Sequence, residues 1–182
     1  PLRAIRAVSR PDGELLSRYS FATEQVLDPA IAYLGQFALY DVMRSGTGKR
    51  VYQSLPEDYF VGGKTGTTND NRDSWFVGFN GDVLTTVWMG KDNNQTTSLT
   101  GSNGAMEAWL RLYQKLPQTS FSPLAPASVE WAWVDAKTGV LAAENCEGAI
   151  ALPFIEDSVP TAEGPCVESR NPFEKWLRSW WQ

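Results

Sequence analysis

Apolar and polar positions alternate along this chain with two different periods. Leu2, Ile5 and Val8 precede a turn-forming Arg10-Pro11-Asp12-Gly13, and Leu15-Leu16 follow it, which predicts a hairpin over residues 2–20. Asp28 is an N-cap residue with Pro29 at the first helical position. Ile31, Leu34, Ala38 and Val42 then fall near helical spacing, and Gly46 is a stop signal. A polar loop is expected from there to Asp58. Residues 59–67, YFVGGKTGT, predict a strand with glycines where something must approach the backbone. Residues 74–80 and 83–90 flank Asn80-Gly81-Asp82 and predict a second hairpin. Residues 103–116 predict a second helix, capped by Ser102 or Asn103, with Met106, Trp109, Leu110 and Tyr113 on one face.

The pattern then weakens. Residues 117–128 contain Pro117, Pro123 and Pro126 among Ser and Thr, and predict a linker or a segment hugging a boundary. VEWAWVD (129–135) has period two, turns at Ala136-Lys137-Thr138-Gly139, and is expected to pair with VLAAE (140–144). Trp131 and Trp133 share a strand face and are expected to be cross-strand core, as are Trp75 and Phe76. At the C-terminus Asn171 and Pro172 start a helix. Its stripe of Phe173, Trp176, Leu177 and Trp180 is expected to dock on its own domain.

Composition narrows the chemistry. With 182 residues, the chain is long enough for one domain, or one with a small appendage. It opens on Pro1 without a leader-like stretch and is expected to be a processed or excised piece. No apolar run approaches the ~20 residues of a membrane span. There is no histidine, which excludes Ser-His-Asp and Cys-His catalysis and every His-ligated metal site. A net charge of −5, without a basic stripe, argues against nucleic acid as a partner. Two cysteines, Cys146 and Cys166, lie in a loop-rich acidic stretch with no CxxC. A disulfide would help such a stretch and would imply an oxidising compartment; two unrelated buried thiols are the alternative.

The informative motif is Lys64-Thr65-Gly66-Thr67. A P-loop ending at Gly63-Lys64-Thr65 needs a glycine where Asp58 stands. Gly48-Lys49 fails too, with Met43 and Arg50 at the required positions. The surviving reading is an acyl-transfer strand. Lys64 would set an ammonium beside a serine nucleophile, and Gly66 would leave room for substrate against the strand. The Thr65 and Thr67 hydroxyls would bind a substrate carboxylate, and the Thr67 N–H would aim at the developing oxyanion.

These residues carry a resemblance. GGKTGTTNDNRDSWFVGFNGDVLTTVWMGKDNN (62–94), GSNGAMEAWLRLYQKL after it and the helix ending VMRSGTGK before it resemble the C-terminal part of the transpeptidase domain of class A (bifunctional) penicillin-binding proteins, 1b type. The Cys146–Cys166 stretch and the aromatic terminus resemble the tail of that type. The resemblance implies an α+β fold. Residues 1–116 would be the C-terminal portion of a penicillin-binding, serine β-lactamase-like sheet with flanking helices. Residues 117–182 would be a linker and a small β-rich appendage. It implies catalytic roles for Lys64 and Thr67, and substrate binding by Thr65, Gly66 and Thr67, with no cofactor and no metal. The implied ligands are peptidoglycan stem peptides and β-lactams, with an envelope activator protein as a further partner. The implied location is the periplasm, anchored through an N-terminal part of the precursor.

The sequence departs from the family pattern in one respect. No serine here has a lysine three positions on, so the family's Ser-x-x-Lys is missing. The nucleophile is therefore expected from the N-terminal remainder, and the isolated chain is expected to be inactive. A serine β-lactamase fragment and a non-catalytic envelope interaction module are the alternatives.

Overall fold

The computed structural model describes residues 5–19, 24–117 and 119–168. The aromatic terminus that begins at Asn171 lies outside them. The described elements are strands β1 (Ala7–Ser9) and β2 (Leu15–Arg18), helix α1 (Pro29–Arg44), strands β3 (Gly62–Thr67), β4 (Ser74–Phe79) and β5 (Leu84–Met89), helix α2 (Ala105–Tyr113), strands β6 (Val129–Asp135) and β7 (Ala149–Ile155), and the short helix α3 (Pro165–Glu168). Runs of strands are separated by helices in one chain, and the described strands pair antiparallel, so the fold is α+β. The strands form three sheets, β1-β2, β3-β4-β5 and β6-β7. Among the described residues, no helix is long and apolar enough to cross a membrane.

The first hairpin forms around Gly13, whose φ of 90° suits a tight turn, and its strands are exposed. Helix α1 starts as its sequence dictates, with the Asp28 carboxylate accepting from the Ala30 and Ile31 N–H groups. Its predicted face is not the buried one. Ile31 is 52% exposed and Ala38 is exposed, whereas Ala30 and Met43 are buried. The helix packs along β3, so the neighbouring strand selects the buried face.

The core gathers Met43, Val51, Leu55, Tyr59, Val61, Phe76, Met106, Trp109 and Tyr113. Two of these residues fall in the stretch expected to be a polar loop. That stretch contains a 3-10 turn, Lys49–Gln53, and plugs Val51 and Leu55 into the core. Trp75 and Phe76 part company by strand alternation. Phe76 is fully buried against Trp109, with ring centroids 5.0 Å apart, and Trp75 is 41% exposed.

Helix α2 begins later than expected, at Ala105, and neither Ser102 nor Asn103 caps it. The cap comes from β4. The buried Ser74 hydroxyl accepts from the Ala105 N–H (2.8 Å) and donates to the Thr100 carbonyl (2.7 Å). Asn103 instead accepts from the Thr100 N–H.

Residues 119–121 run along the start of β3 and the turn between β4 and β5. Thr119 and Phe60 lend carbonyls to the Gly81 and Phe121 N–H groups. Beyond them β6 does not take VLAAE as its strand partner. It pairs with β7, and Leu141 makes only isolated bridges. The predicted turn does form, with Gly139 at φ 72° and the Ala142 N–H donating to Trp133. The chain then turns away through Ala143–Cys146. Pro153 concealed β7 in the sequence, because a proline lacks the ladder N–H. Trp131 and Trp133 are 50% and 36% exposed rather than buried core. Trp131 meets Phe37 of α1 edge-on at 5.3 Å.

Candidate active site

The KTGT motif occupies the outer strand of the three-stranded sheet. Backbone register pairs Lys64 with Val77, Thr65 with Phe76, Gly66 with Trp75 and Thr67 with Ser74. Strand alternation therefore divides the motif between two faces. Thr65 and Thr67 share the face on which Ser74 and Phe76 meet α2. Lys64 lies with Trp75 and Val77 on the other face, where Trp88 and Leu84 of β5 continue an open apolar surface. Trp75 and Trp88 are neighbours there, their centroids 6.2 Å apart.

The exposed Lys64 ammonium curls over the strand and donates to the Thr65 carbonyl at 2.9 Å. The turn after the motif is closed by Asp73. Its carbonyl accepts from the Thr68 N–H (3.2 Å), its carboxylate from the Thr68 hydroxyl (3.1 Å) and from Trp88 Nε1 (2.9 Å). Because the Thr68 N–H points inward to Asp73, strand alternation turns the Thr67 N–H toward the outer edge. That is the direction from which an extended ligand can approach.

Two loops press on the motif from outside. The Gly101 N–H donates to the Thr67 hydroxyl oxygen at 2.9 Å. A β-carbon on Gly101 would come within 2.8 Å of the Gly66 backbone and of Thr65 Cβ, so only glycine permits this approach. On the other side, Thr47 Oγ1 stands 3.0 Å from Thr65 Oγ1. Gly66 itself is confined on the Trp75 side, where an added β-carbon would lie 3.2 Å from Trp75 Cβ.

The structure thus brings Lys64, Thr65, Gly66 and Thr67 to one strand edge, with the ammonium on one face and both hydroxyls on the other. Sequence reasoning missed Thr47 and Gly101, which touch the motif. Gly46 and Gly48 around Thr47 mark the end of α1 in the sequence and give no sign that its hydroxyl reaches β3. Next to Gly101, the sequence suggests Ser102 or Asn103 as a cap but gives no role to Gly101 itself. Far from this edge, Cys146 and Cys166 form a disulfide that joins the segment after β6 to α3. Among the described residues, no group of His, Cys, Asp and Glu could hold a metal ion.

Comparison with known proteins bears on this strand edge. No family model matches the chain. It is 33% identical over 181 residues to penicillin-binding protein 1B of Vibrio cholerae serotype O1, covering 99% of the chain and 23% of that protein. It is 36% identical over 182 residues to penicillin-binding protein 1B of Escherichia coli K12, covering 96% of the chain and 21% of that protein. The crystal structure of penicillin-binding protein 1A from Haemophilus influenzae superposes with a TM-score of 0.64 at 29% identity, over 76% of this chain and 22% of that one. The chain therefore spans about a fifth of the length of the relatives it matches.

Proposed function

Starting from the homology of this chain to the class A penicillin-binding proteins 1B and 1A, we propose that it is the KTGT-bearing part of a serine D,D-transpeptidase. That enzyme would cross-link peptidoglycan stem peptides through an acyl-serine and be acylated by β-lactams. The observation that carries the reading is the edge strand itself. One outer strand presents an ammonium, two hydroxyls and an outward N–H in a region homologous to these enzymes.

In this reading an acyl donor lies along β3. The Thr65 and Thr67 hydroxyls donate to its carboxylate. The Thr67 N–H donates to the oxygen that gains charge as the carbonyl becomes tetrahedral. The Lys64 ammonium supplies positive charge beside the serine and favours its deprotonated form. That serine and its activating lysine come from a part of the protein outside these 182 residues, because no Ser-x-x-Lys occurs within them. The open surface of Lys64, Trp75, Val77 and Trp88 is where that part would pack. The disulfide supports a periplasmic location, with a membrane anchor and a glycosyltransferase also outside the chain. An envelope activator protein would be a further partner. A serine β-lactamase fragment shares Lys-Thr-Gly, but the relatives named above are penicillin-binding proteins.

The test is acylation by a fluorescent penicillin. The full-length protein should be labelled on a serine outside residues 1–182, and the isolated chain should stay unlabelled. Lys64→Ala in the full-length protein should slow acylation by about 10²–10³-fold, the usual worth of one preorganised electrostatic contact. An adduct on any serine within these residues sinks the assignment, and a near-normal rate for the variant removes Lys64 from the mechanism. Failure of the full-length protein to form any lasting adduct would favour the non-catalytic envelope module.

A further inference from the structure

The two hydroxyls of the motif are held in a way that fixes which of their atoms a ligand meets. Thr67 Oγ1 accepts the Gly101 N–H at 2.9 Å. That bond uses a lone pair, so the single hydroxyl hydrogen of Thr67 remains available to donate. Thr65 Oγ1 lies 3.0 Å from Thr47 Oγ1. One of this pair donates to the other, and one hydrogen is left over. An anion beside Thr65 selects the arrangement in which Thr47 donates inward and Thr65 gives its hydrogen to the ligand. Two residues apart on one face, Thr65 and Thr67 stand roughly 6.6 Å apart along the strand. Together with the Lys64 ammonium and the Thr67 N–H they make an edge rich in donors.

The placement of Thr47 is built into the end of α1. The Ser45 N–H returns to the Asp41 carbonyl (2.8 Å) and the Gly48 N–H to the Val42 carbonyl (3.0 Å), so the chain folds back over the last helical turn. A β-carbon on Gly48 would stand 2.4 Å from the Met43 sulfur and 3.1 Å from Met43 Cα, and Met43 is fully buried. The fold-back closes only with glycine there, and it delivers the hydroxyl of Thr47 to β3.

We infer that Thr47 is a positioning residue. Its hydroxyl orients Thr65, so that Thr65 and Thr67 donate as a pair to the carboxylate of the acylating substrate. This inference rests on the transpeptidase reading above and assigns that reading's carboxylate subsite a support from a separate loop.

The experiment compares benzylpenicillin with its methyl ester on the full-length protein. Thr47→Val should lower the second-order acylation constant for benzylpenicillin about tenfold, the scale of one hydrogen bond to a charged group. The loss should appear in the concentration dependence and not in the limiting rate. The ester, which lacks the anion, should lose less than about twofold. Thr47→Ser should restore the wild-type constant. In a Thr65→Val background, Thr47→Val should add nothing, because its effect passes through Thr65. Equal losses for acid and ester, or an additive loss in the Thr65→Val background, would reduce Thr47 to a structural residue and overturn the inference. So would an unchanged constant for benzylpenicillin. Each of these outcomes leaves the transpeptidase reading standing. Absence of acylation in the wild-type protein removes that reading and this inference with it.

Discussion

The three-stranded and two-stranded sheets of this chain are held together by different means. The β3-β4-β5 sheet has helix α2 laid across it and a closed core, with Phe76, Trp109 and Tyr113 fully enclosed. The β6-β7 sheet has one buried valine, Val134, a buried proline, Pro153, and largely exposed tryptophans. A covalent tie from Cys146 to Cys166 takes the place of a core there. Apolar burial stabilises in proportion to area, and a small two-stranded sheet has little area to give. A cross-link acts instead by restricting the unfolded chain. The motif edge stands on the first kind of support, which suits a strand that must hold its groups still.

The sharpest way to break the contrast is to hollow out the core. Trp109 stacks on Tyr113 at 3.9 Å and meets Phe76 at a tilt, 5.0 Å between ring centroids. Trp109→Ala should cost about 3–5 kcal/mol, the range for truncating a buried tryptophan. Hydrogen exchange should locate the loss in β3, β4 and β5. A change under about 1 kcal/mol would mean that the enclosed aromatics do not carry the unit.

Opening the disulfide should act on the other half. The closed loop spans 20 residues in sequence, and its removal by Cys146→Ser should cost about 3 kcal/mol in the chain-entropy account. Exchange should quicken in β6 and β7 and stay nearly unchanged in β3 and β4. Equal acceleration in both sheets would show that the two regions unfold as one.

The smallest effect is a titration in the turn after β6. The Asp135 carboxyl is held below its ordinary value, first by the Thr138 hydroxyl and then by the Thr138 N–H, with the Lys137 N–H and charge adding to them. The same oxygen, Oδ1, accepts all three bonds, the nearest at 2.8 Å. A carboxyl whose folded value lies below its unfolded value stabilises the fold at pH above the unfolded value. That contribution is lost as pH falls through the folded value. Thr138→Val should raise the Asp135 value toward the ordinary one, as read by carboxyl carbon NMR. An unmoved titration would show that the hydroxyl does not hold it.

Much of this arrangement could be read from local sequence. Asp28-Pro29 fixed the start of α1, Asn80-Gly81-Asp82 the hairpin of β4 and β5, and YFVGGKTGT the motif strand, because caps, turns and alternation act over a few residues. What was misread depends on contacts between distant residues. Ser74 caps α2 from 31 positions away. The buried face of α1 is chosen by β3, and Val51 and Leu55 are drawn from a nominally polar stretch into the core. Strand β7 was hidden by Pro153. At the candidate site the four motif residues were legible from their order, but their division between two faces follows from register. Thr47 and Gly101 could not be found from spacing at all, since each reaches the motif through the tertiary path of its own loop.

The sheet order has one more consequence. Among the described residues β3 and β5 are the outer strands of their sheet, and no further strand pairs with either. The sequence of β5, Leu-Thr-Thr-Val-Trp-Met, has neither charge nor proline. Natural edges are usually guarded by one or the other, or by a covering segment, because an open row of N–H and C=O groups recruits any strand that meets it. An unguarded edge of six residues is a template for self-association as much as for correct assembly. The same backbone groups would serve a strand from another part of a longer protein or one from a second copy of this chain, and local concentration decides between the two.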